Sequence, residues 1–163
     1  MDRATEEIKP DDADTILWDN VVSAHRELAR ARNTFYEQAK DHRGTLSRAI
    51  QAGWWDTVAA VDCLKDLPDD VPALLDELIT LALFDGHAIE AKRILGYHKT
   101  SVGYQVREMV LGRLDTADAN DIRRLAEVLY HLDDTEGLRL LVERARLSDD
   151  PEIQEVADDF DLA

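Results

Sequence analysis

From Leu17 to Phe35, apolar residues return at alternating spacings of four and three, through Val21, Ala24, Leu28 and Ala31. A 3.5-residue repeat of this kind predicts one long helix whose seam suits the side of another helix. Val22, Ala29 and Tyr36 widen the stripe, so burial across a broad face is expected. Asp14-Thr15 offers an N-cap, the periodicity runs to about His42, and Arg43-Gly44 is the expected stop, Gly44 suiting a left-handed C′ position.

Beyond that stop the pattern breaks into shorter helices. Thr45 opens one that carries Leu46, Ala49 and Ile50 inward, and Ala52-Gly53-Trp54-Trp55-Asp56 reads as a tight turn. A helix follows to about Leu67, ended by Pro68. Asp69-Asp70-Val71-Pro72 starts the next, with Leu74, Leu75, Leu78, Ile79, Ala82 and Leu83 as its apolar face. Asp85-Gly86-His87 is a second turn. Helices are expected over Ala88–His98, Val102–Leu114, Asp121–Leu132 and Thr135–Leu147, with a last one opening at Asp150-Pro151-Glu152. No period-two run rich in β-branched residues occurs, so strands are not expected.

The turns at Gly53 and Gly86 lie 33 residues apart, each between two amphipathic helices, with Val58 and Ala91 in equivalent places after them. This resembles the helix–turn–helix unit of tetratricopeptide repeats, in which a small residue after the turn packs between the helices. The stretch from Arg139 to Ala157, with Asp150-Pro151 opening a helix, resembles a HEAT repeat boundary. The resemblance runs from Thr45 to about Ala157. It implies an irregular stack of helical hairpins, and with the long helix read from periodicity the expected fold is all-α, a long N-terminal helix packed on a right-handed stack of helical hairpins, about seven to nine helices in all. The single domain is expected over 14–157, between an acidic lead-in (1–13) and an acidic tail (158–163).

Charge changes this picture more than composition does. Hydrophobic residues make up 45% of the 163, as in a globular protein, but the formal net charge is −16. Direct binding to nucleic acid or an anionic membrane is therefore disfavoured, and a basic protein partner is the natural complement. Asp outnumbers Glu 23 to 12 and Arg outnumbers Lys 14 to 5, a bias that a salt-adapted or GC-rich host also produces. Residues 21–50 are the one basic zone, with Arg26, Arg30, Arg32, Lys40, Arg43 and Arg48. Their simplest role is internal, pairing with the acidic lead-in or C-terminal helix. The N-terminus lacks a signal-peptide core and no apolar run nears the ~20 residues of a membrane span, so a cytoplasmic location is expected.

A search for chemistry returns little. Cys63, the only cysteine, lies in an apolar run and reads as a small buried residue. His25, His42, His87, His98 and His131 include no i, i+4 pair, and no metal or cofactor is expected. His131 stands at a helix end, where the dipole favours a cation. No serine lies in a nucleophile elbow and no phosphate loop is present, so no catalytic residue is assigned and an enzyme is not expected. Five Asp-Asp pairs stand out: Asp11-Asp12, Asp69-Asp70, Asp133-Asp134, Asp149-Asp150 and Asp158-Asp159. Four precede predicted helices, where an N-cap aspartate is worth ~1 kcal/mol. Alternate loops of a hairpin stack fall along one edge, so Asp69, Asp70, Asp133 and Asp134 are expected to form an acidic ridge. Trp54 and Trp55 are adjacent and cannot both face one core; one is expected beneath the turn, the other exposed as an interface anchor. The tail, Asp158-Asp159-Phe160-Asp161, puts anions at the unfavourable end of a helix and is expected to fray. These features suit a non-catalytic protein-binding module, an acidic inhibitor or immunity-type protein that occludes a basic, nucleic-acid-targeting partner. The alternative is a helical-repeat scaffold or assembly subunit.

Overall fold

The computed structural model describes residues 10–84 and 86–160, with side chains from Asp12 onward. The lead-in over 1–9, Asp85 of the second turn and the last three tail residues lie outside the described residues. Among the described residues the chain is all-helical, with nine α-helices and no strands. They fall into two compact units, Met1–His42 and Arg43–Ala163, the boundary lying inside the span read as one domain.

The first unit is α1 (Pro10–Gln38), 29 residues long. It begins before the expected cap, so Asp14-Thr15 lies inside the helix. It also ends earlier than expected, because Ala39, Lys40 and Asp41 leave the helical path. Gly44 is consequently a first-turn residue of α2 and not a C-cap. Near the break, His42 sits against Phe35 and Tyr36, with ring centroids 5.4 and 5.6 Å apart. The seam is not buried as its width suggested: Leu17, Val21 and Leu28 are 63%, 57% and 44% exposed. Periodicity shows that a helix has an apolar stripe, but coverage of that stripe depends on what the rest of the chain supplies.

The second unit contains α2 from Arg43 on (the helix spans His42–Ala52), α3 (Trp54–Leu64), α4 (Leu75–Ala82), α5 (Ala88–Tyr97), α6 (Lys99–Arg113), α7 (Ala119–His131), α8 (Thr135–Arg146) and α9 (Pro151–Asp159). A 3₁₀ turn over Val71–Leu74, with Pro72 in its first positions, leads into α4. Successive helices pair as hairpins, α4 with α5, α7 with α8, α8 with α9, while α3 packs on α5 and α6 on α4, α5 and α8. Each hairpin leaves one apolar face for the next. Leu64, Leu74, Leu78, Ile79, Ile94, Leu95, Leu125, Leu129, Leu138 and Leu141 are fully buried, each worth about 1.5–3 kcal/mol of transfer free energy. Ala91 is fully buried, as its place after the turn implies, while Val58 and Cys63 are half-buried. Phe160 and Ile153 pack on Val142, Ala145 and Ala157, which holds the described end of α9.

The aspartate caps divide. Asp118, Asp134 and Asp150 accept from the N–H of Asp121, Gly137 and Glu152 at the starts of α7, α8 and α9. Asp134, not Thr135, therefore caps α8. Asp70 makes no cap hydrogen bond. Its carboxylate accepts instead from Arg43 Nε at 3.0 Å. The tail carboxylate Asp159 is met by Arg123 of α7, 3.0 Å away. The acidic C-terminal helix thus finds a cation within its own unit.

A candidate protein-binding face

Gly53 alone separates α2 from α3, and it does so at φ 145°, ψ 176°, a conformation essentially confined to glycine. Thr57 then locks the joint: its buried hydroxyl donates to the Ile50 carbonyl at 3.0 Å and lies 2.8 Å from that of Gly53. Gly53 stands in the turn expected from the sequence, whereas Thr57 was not singled out by sequence pattern. Together they place Trp54 and Trp55 at the first two positions of α3, ahead of the stripe Thr57, Ala60, Val61 and Leu64 that faces the core.

Both tryptophans are exposed, Trp54 at 58% and Trp55 at 79%, which corrects the expectation that one lies beneath the turn. The joint is a single residue closed by Thr57, and both indoles follow it directly on the first turn of α3. Trp54 shares the helical face of Thr57 and leans on His87, ring centroids 4.7 Å apart. His87 is the N-cap residue of α5, and its N–H donates to the Phe84 carbonyl at 3.3 Å. Phe84 is itself 61% exposed. The two glycine turns noted in the sequence thus meet where Trp54 leans on His87, and the exposed rings of Trp55 and Phe84 stand one and three residues along the chain from that contact; the four are called the aromatic ledge below.

Phe84 also borders an open groove of about 420 Å³ lined by Ile50, Gln51, Asp76, Glu77, Thr80 and Leu81. The floor is apolar and one wall acidic. Glu77 accepts from Ser47 Oγ at 2.6 Å, and Asp76 from Arg113 at 2.5 Å. Those contacts orient the two carboxylates. Phe84, His87, Asp76 and Glu77 were not assigned to a site from sequence; the available signal was a large apolar residue immediately before a turn.

The four aspartates expected in a ridge have separate local duties. Asp70 is buried against Arg43, which also donates to the Asp69 carbonyl at 3.3 Å. Asp133 and Asp134 form the link between α7 and α8. Asp133 takes φ 56°, and its N–H and that of Asp134 donate to the carbonyls of Tyr130 and Leu129, both at 3.0 Å. This is a Schellman closure with an aspartate where glycine is usual. Asp133 accepts from Lys99 Nζ at 2.6 Å, which lowers its carboxyl below the ordinary range. Asp134 accepts from Arg107 Nε at 2.8 Å and from Arg107 Nη2, besides capping α8. Burial alone would raise the Asp134 carboxyl; the bonds from Arg107 and the Gly137 N–H outweigh it and leave the group below its usual value. Lys99, Thr100, Gly103, Tyr104 and Arg107 border a second open hollow, about 370 Å³, beside this link.

His98 is the other group that pattern did not reveal. It is buried between α5 and α6, and its Nε2 lies 3.1 Å from the Leu64 carbonyl at the end of α3. Donation by Nε2 satisfies one of the terminal carbonyls that a helix leaves open. Among the described residues, no group of three or more His, Cys, Asp and Glu side chains is placed to hold a metal ion. None of their helices is long and apolar enough to cross a membrane.

Fold and surface together define an all-α hairpin stack that displays an aromatic ledge beside an acidic groove. No family model matches the chain, and no curated protein or solved structure matches it significantly.

Proposed function

We propose that this chain is a non-catalytic protein-binding module that engages a basic partner through the Trp54–Trp55 ledge and the groove walled by Asp76 and Glu77. The observation that carries the reading is the exposure of both tryptophans and of Phe84, with Trp54 against His87 three residues beyond Phe84, on a protein of net charge −16. An indole face attracts a lysine or arginine side chain by about 0.5–2 kcal/mol, and nearby carboxylates add a charge-assisted hydrogen bond. A cationic loop or helix from a nucleic-acid-targeting protein has that chemistry. Occlusion of its basic surface by carboxylates standing in for phosphates is the mode of action of an inhibitor or immunity-type protein. Excess negative charge also speeds encounter with such a partner.

A second reading has its own support. The exposed seam of α1 favours a scaffold or assembly subunit, in which the acidity belongs to the host proteome. Salt separates the two. Affinity purification from the native host at low and at molar salt, with the bound protein identified, should recover a basic partner that is lost at high salt. Trp55→Ala should weaken the purified complex by at least about 30-fold, as expected of an interface anchor. A neutral or acidic partner retained at molar salt, or wild-type affinity in Trp55→Ala, overturns the inhibitor reading.

A further inference from the structure

We infer that the groove beside α4 is a socket for a single arginine side chain of the protein partner, with Glu77 as its acceptor. This rests on the reading above and narrows it to one residue type. Asp76, Glu127, Asp134 and Asp159 of this unit each meet an arginine or lysine of another helix. Glu77 meets only the Ser47 hydroxyl of α2, which donates to Oε1, and among the described residues no cation pairs with it. The arginine at the same wall is not spare. Arg113 Nη2 reaches the Asp76 carboxylate, the Asp76 carbonyl at 3.1 Å and the Thr80 hydroxyl at 3.1 Å, so it neutralises Asp76 and leaves Glu77 uncompensated. The wall therefore carries one unmatched negative charge, which calls for one cation.

The rest of the lining selects which cation. Ile50 and Leu81, 6% and 8% exposed, offer apolar surface to a methylene stem. Phe84, exposed at the rim, presents a ring on which a planar guanidinium stacks. A lysine ammonium is a compact, strongly hydrated charge; it loses more on leaving water for such a floor and has no plane to set against Phe84. A guanidinium is weakly hydrated and can aim a pair of donors at the Glu77 carboxylate, with further donors left for Asp76. An apolar side chain in the same place would leave Glu77 desolvated and unpaired, and an acidic one would be repelled.

The test uses the isotope-labelled full chain and capped glycine peptides that carry one central arginine, lysine or citrulline, the last an uncharged near-isostere of arginine. Titration at low salt, followed by methyl and amide NMR, should give saturable shifts at Ile50, Leu81 and Phe84 with the arginine peptide. The lysine peptide should bind at least about fivefold more weakly, and the citrulline peptide at least about tenfold more weakly. Glu77→Gln, which keeps an acceptor for Ser47, should lower affinity for the arginine peptide about tenfold, the margin between a charged and a neutral hydrogen-bond acceptor. Glu155→Gln removes the same charge from α9, which does not line the groove, and should leave affinity within about twofold. Far-ultraviolet circular dichroism should show both variants folded. An arginine peptide bound no more tightly than the lysine or citrulline one, shifts centred elsewhere or never saturating, or unchanged affinity in Glu77→Gln overturns the socket. Those results leave the broader reading standing where a basic partner still depends on Trp55. A neutral partner retained at molar salt overturns that reading whatever the peptides do.

Discussion

Replacing Asp134 should be among the most damaging single changes on the polar surface of the second unit. Its side chain is only 9% exposed, caps α8 through the Gly137 N–H at 3.0 Å, and takes two hydrogen bonds from Arg107. The cap is worth ~1 kcal/mol and a hydrogen bond to a charged group about 1.5–3 kcal/mol. Arg107 is 27% exposed and can turn to water once released, which places Asp134→Ala at about 2–4 kcal/mol rather than the full sum. Asn caps nearly as well as Asp, so Asp134→Asn should lose only the charged share, about 1–2 kcal/mol. Urea unfolding followed by circular dichroism reads both, with Asp134→Ala shifting the midpoint by about 1–2 M. A double-mutant cycle with Arg107→Ala isolates the pair and should return a coupling of about 1–2 kcal/mol at neutral pH. Because the folded Asp134 carboxyl lies below its ordinary value, the stabilisation is complete above the normal carboxylate range and disappears as pH falls through the lowered folded value. The gap between wild type and Arg107→Ala should therefore narrow in acid. A coupling below about 0.3 kcal/mol, or a gap that widens on acidification, refutes the argument.

Gly137→Ala should destabilise the chain by about 1–2 kcal/mol despite the better helix propensity of alanine. A Cβ there would sit 2.7 Å from Asp134 Oδ2 and 3.1 Å from Leu129 Cδ2; equal or higher stability in thermal denaturation would contradict the packing described. Asp133→Gly should hold stability or raise it by up to about 1 kcal/mol, because glycine relieves the φ of 56° and the exposed Lys99 pair it removes contributes little. A loss beyond about 1 kcal/mol in urea unfolding would show that the pair matters more than the backbone. His98→Ala should cost about 1–3 kcal/mol by freeing the Leu64 carbonyl, and unchanged thermal stability would remove that bond from the account. All three tryptophans, Trp18, Trp54 and Trp55, are exposed, so native fluorescence should already be red-shifted and readily quenched by acrylamide. A blue-shifted, protected emission would show that at least one indole is covered.

Much of the fold was legible because helices announce themselves locally. The 3.6-residue stripes of α4, α7 and α8, the Asp150-Pro151 start of α9 and the position of His131 at the end of α7 all follow from neighbours within a turn or two. The helix count fell within the expected range for the same reason. What locality could not decide was which surface each stripe meets. The seam of α1 and the indole of Trp55 have the composition of buried groups and are exposed, because burial is a property of opposing surfaces and not of a sequence window. The fate of each Asp-Asp pair was likewise settled at a distance. Asp70 turned from capping to Arg43, 27 residues away, and Asp134 bound Arg107 across another 27. An aspartate before a helix specifies a local acceptor, whereas the cation that claims it arrives only when helices remote in sequence pack side by side.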